Sequence, residues 1–199
     1  MTATNIRHSK KLKEIFKTVS HLFASKGYHS ASMRQIAQEL GMKKSSLYHY
    51  FESKEEILFK IMNHAMDEAL ASLEEICAKG VSPEEKLRQV LIFYSTYYVG
   101  DQEGLILLIN EISSLRENYR RILIEKERHY LNLMRMIFDE LDKSGKMREI
   151  PHSIAIFAFF GMVHYTIKWY RPGGSINVDQ LSDYFANILT EGIFKPNPA

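Results

Sequence analysis

Between Gly27 and Ser53 the chain has room for only two short helices, and that spacing constrains the fold more than any other feature. Ser32 opens the first, with Gln35 three residues on as the partner of a capping box, and Ile36, Ala37 and Leu40 form its apolar face before Gly41 stops it. The second runs from about Lys44 to Tyr50. Two helices this short, joined through a glycine, have the length and punctuation of a helix-turn-helix. The second helix of that unit enters a major groove with its amino-terminal residues toward base edges, which puts Lys44, Ser45 and Ser46 at the reading end. Leu47 and Phe51, four apart, would hold it against Ile36, Ala37 and Leu40.

Upstream, Leu12, Ile15, Phe16, Val19, Leu22 and Phe23 fall on one helical stripe, with Lys10, Lys11, Lys13 and Lys17 mostly on the other faces, until Gly27. Ser53 with Glu56 predicts a second capping box and a helix reaching Cys77 or Ala78, and Ser82-Pro83 places an N-cap before a proline at N1 of a helix through Leu87 to Tyr98. Further helices are expected over Leu105 to Ser114, about Asn118 to Lys143, Ser153 to Tyr170 and Val178 to Phe194, with a frayed Pro196-Asn197-Pro198 tail. No stretch alternates like a strand. The fold class is therefore all-α, with an amino-terminal three-helix helix-turn-helix domain over residues 1–58 and a second helical domain over 59–199.

Residues 1 to 60 carry 11 Lys and Arg against 5 Asp and Glu, while the remainder is net −4. That asymmetry is an electrostatic footprint for nucleic acid at one end, although a solvated lysine-rich helix would look the same by charge alone. The single Cys77 allows no internal disulfide, the opening MTATNIRHSKK lacks the apolar run of a secretory signal, and Ile154 to Ile167 is too short to span a bilayer. A cytoplasmic protein with no membrane partner is expected. The eight histidines include no His-Glu-x-x-His pair, so no metal site is expected. Gly-x-Ser-x-Gly, P-loop and Gly-x-Gly-x-x-Gly patterns are missing, which leaves neither a cofactor nor an enzyme reading with support, and an enzyme is the poor second choice.

Lys54 breaks a local rule. It sits in the first turn of a helix, where the macrodipole disfavours a cation by about 0.3 to 1 kcal/mol, and a DNA phosphate bridging Lys54 and the helix end would compensate. The run from Gly27-Tyr28 through Leu47-Tyr48-His49-Tyr50-Phe51 to Lys54-Glu55-Glu56-Ile57-Leu58 closely resembles the DNA-binding domain of TetR/AcrR-family regulators, over about residues 9 to 58. The resemblance implies that Ser32, Tyr48, His49 and Lys54 hold phosphates, that Arg34, Lys44, Ser45 and Ser46 approach bases, and that Tyr50 is a further contact. Ser32 stands where Thr is more usual; both cap a helix and donate a hydroxyl. It further implies a repressor on double-stranded operator DNA, a homodimer through the last two helices and a small-molecule effector bound in the second domain. In keeping with that dimer, the helix from Ser153 to Tyr170 is apolar nearly all round.

Lys168-Trp169-Tyr170-Arg171-Pro172-Gly173-Gly174 resembles, more briefly, TetR-type regulators of fatty-acid and sterol side-chain degradation that respond to acyl-coenzyme A thioesters. On that reading Tyr94, Tyr98, Leu108, Ile112, Met134 and Phe160 line an acyl tunnel, Trp169 and Tyr170 offer flat surfaces for adenine or pantetheine, and Arg171, with Lys168, Arg120, Arg121 and Arg128, meets phosphates. The bland counterparts are plain core for the aromatic stripe, surface ion pairs for the arginines, a helix stop and turn for Tyr170 to Gly174 and a hydrogen-bonded core histidine for His164. Two functional alternatives stand beside it: a multidrug-responsive repressor, which an acidic rather than basic pocket would favour, and a helical acyl-coenzyme A-binding protein that does not bind DNA.

Overall fold

A computed structural model describes residues 3–194, with side chains from residue 11 onward; the Lys10 side chain and the Pro196-Asn197-Pro198 tail lie outside the described residues. The described chain is helical throughout: α1 (Ala3–Lys26), α2 (Met33–Glu39), α3 (Lys44–Tyr48), α4 (Lys54–Ala78), α5 (Pro83–Gly100), α6 (Gln102–Asn110), a 3-10 turn (Ile112–Ser114), α7 (Glu117–Lys143), α8 (His152–Trp169) and α9 (Val178–Ile193). One antiparallel bridge, Met147 to Phe194, is the only β pairing among the described residues.

The helix ends follow from local chemistry. At α2 the Ser32 hydroxyl accepts from the Gln35 N–H at 3.3 Å, and the Gln35 side chain accepts from the Ser32 N–H at 2.9 Å, completing the capping box. Gly27 and Gly41 turn the chain with φ of 86° and 62°, left-handed values that a residue with a Cβ adopts at a cost. The second box forms by half. Ser53 accepts from the Glu56 N–H at 3.1 Å, but the Glu56 carboxylate reaches past Ser53 to the Glu52 N–H with one oxygen and takes Lys60 with the other. The sixth helix also starts earlier than the glycines suggest. Asp101 caps it by accepting from the Gly104 N–H at 3.0 Å, and a Cβ at Gly104 would lie 2.4 Å from that carboxylate, which would then have to shift.

Two hydrophobic cores share α4. Ile57, Leu58, Ile61, Met62 and Met66 join Ile15, Val19, Phe23, Ile36, Leu47 and Phe51 in the head, together with Leu107, Leu115 and Leu123. Ala69, Leu70, Leu73 and Ile76 join the helices of the body, where α7 packs along α4 and α9 along α5. A boundary at residue 58 therefore falls inside one continuous helix. No helix among the described residues is long and apolar enough to cross a membrane.

Candidate nucleic-acid interface and effector cavity

Leu47 and Phe51 are buried against the same core as Ile36 and Ala37, which turns the other faces of α2 and α3 outward. Ser32, Arg34, Lys44, Ser45, Tyr48 and His49 are exposed there, with Ser46 and Tyr50 half-buried. Lys44 lies 5.7 Å from the Tyr48 ring centre, and Tyr48 leaves 46% of its surface to solvent, a large aromatic at the edge of a basic patch. Arg34, Lys43 and Lys44 make no ion pair among the described residues, so their charge is available to a polyanion.

Lys54 lies elsewhere in the network. Its ammonium donates to the carbonyl oxygens of Tyr28, His29 and Ala31 at 3.0, 3.1 and 3.0 Å, and sits 4.6 Å from the Tyr28 ring centre. In the absence of DNA the backbone of the α1–α2 turn thus offsets the cost of a cation at a helix start.

The head is fastened to the body at several points. Glu68 on α4 takes the Tyr97 hydroxyl at 2.8 Å and Lys13 of α1 at 3.2 Å. Burial alone would raise its carboxyl, but the Tyr97 hydrogen bond and the charges of His64 and Lys13 outweigh it and hold the group below the ordinary carboxylate range. His21 of α1 pairs with Glu103 of α6 at 2.6 Å. The segment after α6 grips both the α1–α2 turn and the start of α4: His29 meets Ser114 at 3.2 Å, Glu55 accepts from the backbone N–H and the guanidinium of Arg116, and Tyr119 stacks on Phe59 with centroids 4.2 Å apart.

Directly behind that segment is a cavity of about 280 Å³, walled by α4, α5, α6, α7 and α8 and predominantly apolar. Five of the expected residues line it, Tyr94, Tyr98, Leu108, Ile112 and Phe160, joined by Met66, Ala69, Ile109, Leu123, Glu127, Tyr130, Leu131 and His164. Ile109 and Glu127 are exposed and mark its mouth. His164 stacks on Phe160 and bonds the Tyr94 hydroxyl at 2.8 Å, and burial pushes its pKa below the ordinary histidine value, so the ring is neutral at neutral pH. The Tyr130 hydroxyl is sealed from solvent and has no hydrogen-bond partner among the described residues.

Three expected pocket residues are placed otherwise. Met134, one turn beyond Tyr130 on α7, is fully buried in the body core. Trp169 and Arg171 lie at the end of α8 outside the cavity, and Trp169 is 47% exposed. Trp169 continues the outward stripe of Ile154, Phe157 and Tyr165, while Tyr170 is the aromatic that turns inward, its hydroxyl donating to the Ile176 carbonyl. Residues that the sequence did not single out, Met66, Ala69, Leu123 and Tyr130, had one signal: Ala69 interrupts the large apolar stripe of α4 with a small side chain, which is where room opens.

The model of bacterial regulatory proteins of the tetR family matches residues 15–61, and that of the tetracyclin repressor-like C-terminal domain matches residues 80–193. Among curated proteins, the HTH-type transcriptional repressor KstR2 of Rhodococcus jostii is 26% identical over 186 residues, covering 92% of this chain and 91% of that protein. The fatty acid metabolism regulator protein of Bacillus subtilis is 25% identical over 185 residues, covering 92% and 95%. Among solved structures, AibR in complex with isovaleryl coenzyme A and operator DNA superposes with a TM-score of 0.76 at 27% identity, covering 89% of this chain and 97% of that one.

Proposed function

The chain belongs to the TetR family and is a DNA-binding transcriptional repressor of that type; from this premise we propose that it acts as a homodimer paired through α8 and α9 and leaves its operator when an acyl-coenzyme A thioester enters the α4–α8 cavity. Bases are read by Arg34, Lys44, Ser45 and Ser46, and phosphates are held by Ser32, Tyr48, His49 and Lys54, with Tyr50 beside them. The observation that carries the effector reading is the apolar cavity of about 280 Å³ directly behind the segment that grips the head. At about 30 Å³ for each water-sized group it holds about nine such groups, which suits a short or medium acyl chain. The relatives point the same way: one is a fatty acid metabolism regulator and another was solved with isovaleryl coenzyme A.

The pairing surface rests on exposure. Ile154, Phe157, Tyr165, Trp169, Tyr184 and Ile188 present large apolar side chains to solvent along α8 and α9, more than an isolated subunit leaves uncovered on one face. Gly161 falls on the same stripe of α8 with open space around it, so a partner helix can approach closely there.

One observation favours a second effector class. Glu127 lines the cavity and no Lys or Arg among the described residues does, and Tyr94, Tyr98, Tyr130 and Phe160 supply aromatic faces, the chemistry of a lipophilic-cation site. Calorimetric titration of the DNA-free protein with coenzyme A thioesters of increasing chain length, and with a quaternary ammonium compound, separates the two. Saturable binding of a thioester that weakens with chains too long for the cavity is the expected result; binding of the quaternary compound alone would replace the acyl reading with the cationic one.

A further inference from the structure

We propose that Tyr94 and His164 form a hydrogen-bond donor site that receives the carbonyl oxygen of the effector's thioester, and so select acyl over alkyl compounds in the α4–α8 cavity. The two side chains meet on the cavity wall, with the Tyr94 hydroxyl 2.8 Å from His164 Nε2 and the imidazole stacked on Phe160 at an interplanar angle of 8°. Neither side chain makes another hydrogen bond among the described residues. Burial lowers the pKa of the imidazole and raises that of the phenol, so at neutral pH both are uncharged and each brings one proton.

One of these two protons occupies the bond between the rings. If the phenol donates to Nε2, the imidazole carries its own proton on Nδ1; if Nε2–H donates, the phenol O–H is left over. Either arrangement leaves one donor unspent in a predominantly apolar cavity, and a site with such a donor favours a ligand that brings an acceptor. A quaternary ammonium ion has none to offer. Position supports a thioester. The coenzyme A moiety is too large for about 280 Å³ and stays outside, so the carbonyl that joins it to the acyl chain lies just within the mouth. After burial, the neighbours that raise the Tyr94 phenol are Tyr98, Tyr130 and Glu127, the last of them at that mouth; for Tyr130 they are Tyr98 and Cys77. The Tyr94–His164 pair is thus the polar site nearer the entrance, and the Tyr130 hydroxyl is the deeper one.

This inference rests on the acyl-coenzyme A reading, and the test separates the two. Hexanoyl-coenzyme A and S-hexyl-coenzyme A differ in carrying a carbonyl or a methylene next to the sulfur. Each is titrated calorimetrically into the full-length wild-type protein and into a double variant, Tyr94→Phe with His164→Phe, which keeps the rings and removes the donors. Wild type is expected to prefer the thioester by about tenfold, and the double variant to bind both compounds alike. Equal affinities in wild type, or an undiminished preference in the variant, would overturn the proposal and leave the acyl reading standing; binding of neither compound would overturn both. Should the variant fail to fold, the infrared carbonyl stretch of isotope-labelled hexanoyl-coenzyme A bound to the wild-type protein decides. A frequency below that of the same thioester in hydrocarbon solvent supports the donor site, and a frequency equal to it refutes the site.

Discussion

The proposed operator face takes its side chains from residues 32 to 50 on two short helices and their flanks, while the cavity collects Met66, Tyr94, Leu108, Tyr130 and His164 from five different helices. The face is polar and exposed, with Arg34, Lys43 and Lys44 outside the ion pairs; the cavity is apolar, closed by tyrosines and carries Glu127 as its charged group. A surface that reads a nearly uniform polyanion can be specified by a local stretch of sequence. A void shaped to one ligand is the space left over when five helices meet, and small changes in any of them alter it. The joint between the two combines both kinds of construction: α4 is continuous, and Glu55, His29 and Phe59 are gripped by residues 111 to 119.

The largest effect should come from the surface that doubles the operator face. Phe157→Glu combined with Ile188→Glu places charges on the exposed stripe of α8 and α9, and is expected to give a monomer in sedimentation with operator affinity reduced by about a hundredfold or more; a persisting dimer would remove α8 and α9 from the interface. Within the face, Arg34→Ala or Lys44→Ala should cost about 1–3 kcal/mol of operator binding and relax base preference at one position of each half-site. A uniform loss across all sequences would make the residue a phosphate contact instead. The cavity should respond in the opposite manner. Ala69→Phe fills it, so effector affinity is expected to fall by about tenfold while operator affinity is kept; because overpacking costs about 1–3 kcal/mol, the melting temperature is measured alongside. If effector affinity is unchanged in a folded variant, the ligand binds outside this cavity.

Two smaller effects test the polar groups of the cavity. The Tyr130 hydroxyl is buried without a partner among the described residues, so Tyr130→Phe should leave stability unchanged or raise it by about 1 kcal/mol in urea unfolding; a clear loss would show that the hydroxyl is bonded. His164 has a folded pKa depressed by burial below its unfolded value of 6.5, so the unfolded chain binds the extra proton first and stability falls as pH drops below that value. Relative to His164→Gln, the wild-type protein should therefore lose stability more steeply below pH 6.5, with no divergence in slope above it. Parallel curves across that range would mean that His164 titrates alike in both states.

The same contrast decides what could be read in the sequence. Ser32 with Gln35, and glycines at 27 and 41, act on neighbours within a turn, so the head was legible down to its capping box. Lys54 was legible only as an anomaly. Its position at a helix start is local, but the carbonyls that satisfy it lie 23 to 26 residues upstream and meet it only in the folded head. Glu56 was assigned to Ser53 by spacing, yet Lys60 and the Glu52 N–H hold its two oxygens. In the body, apolar periodicity found inward-facing residues without telling core from cavity wall: Tyr94 and Phe160 border the void, and Met134 lies a turn past it. Trp169 and Tyr170 are adjacent and chemically alike, and only the phase of α8 against its neighbours sets which one is exposed.

Occupation of the cavity is expected to weaken the hold on the operator. If the DNA-incompetent state binds the effector about 100-fold better, linkage weakens operator binding by up to about 2.7 kcal/mol at saturation. The direct test is fluorescence anisotropy of the full-length protein on DNA from upstream of its own coding sequence, titrated first with salt and then with acyl-coenzyme A thioesters of graded chain length. Specific binding that is salt-dependent and released by one class of chain length is the predicted result; specific binding that no thioester releases would contradict the effector assignment, and absence of specific binding to that DNA would contradict control of the chain's own operator.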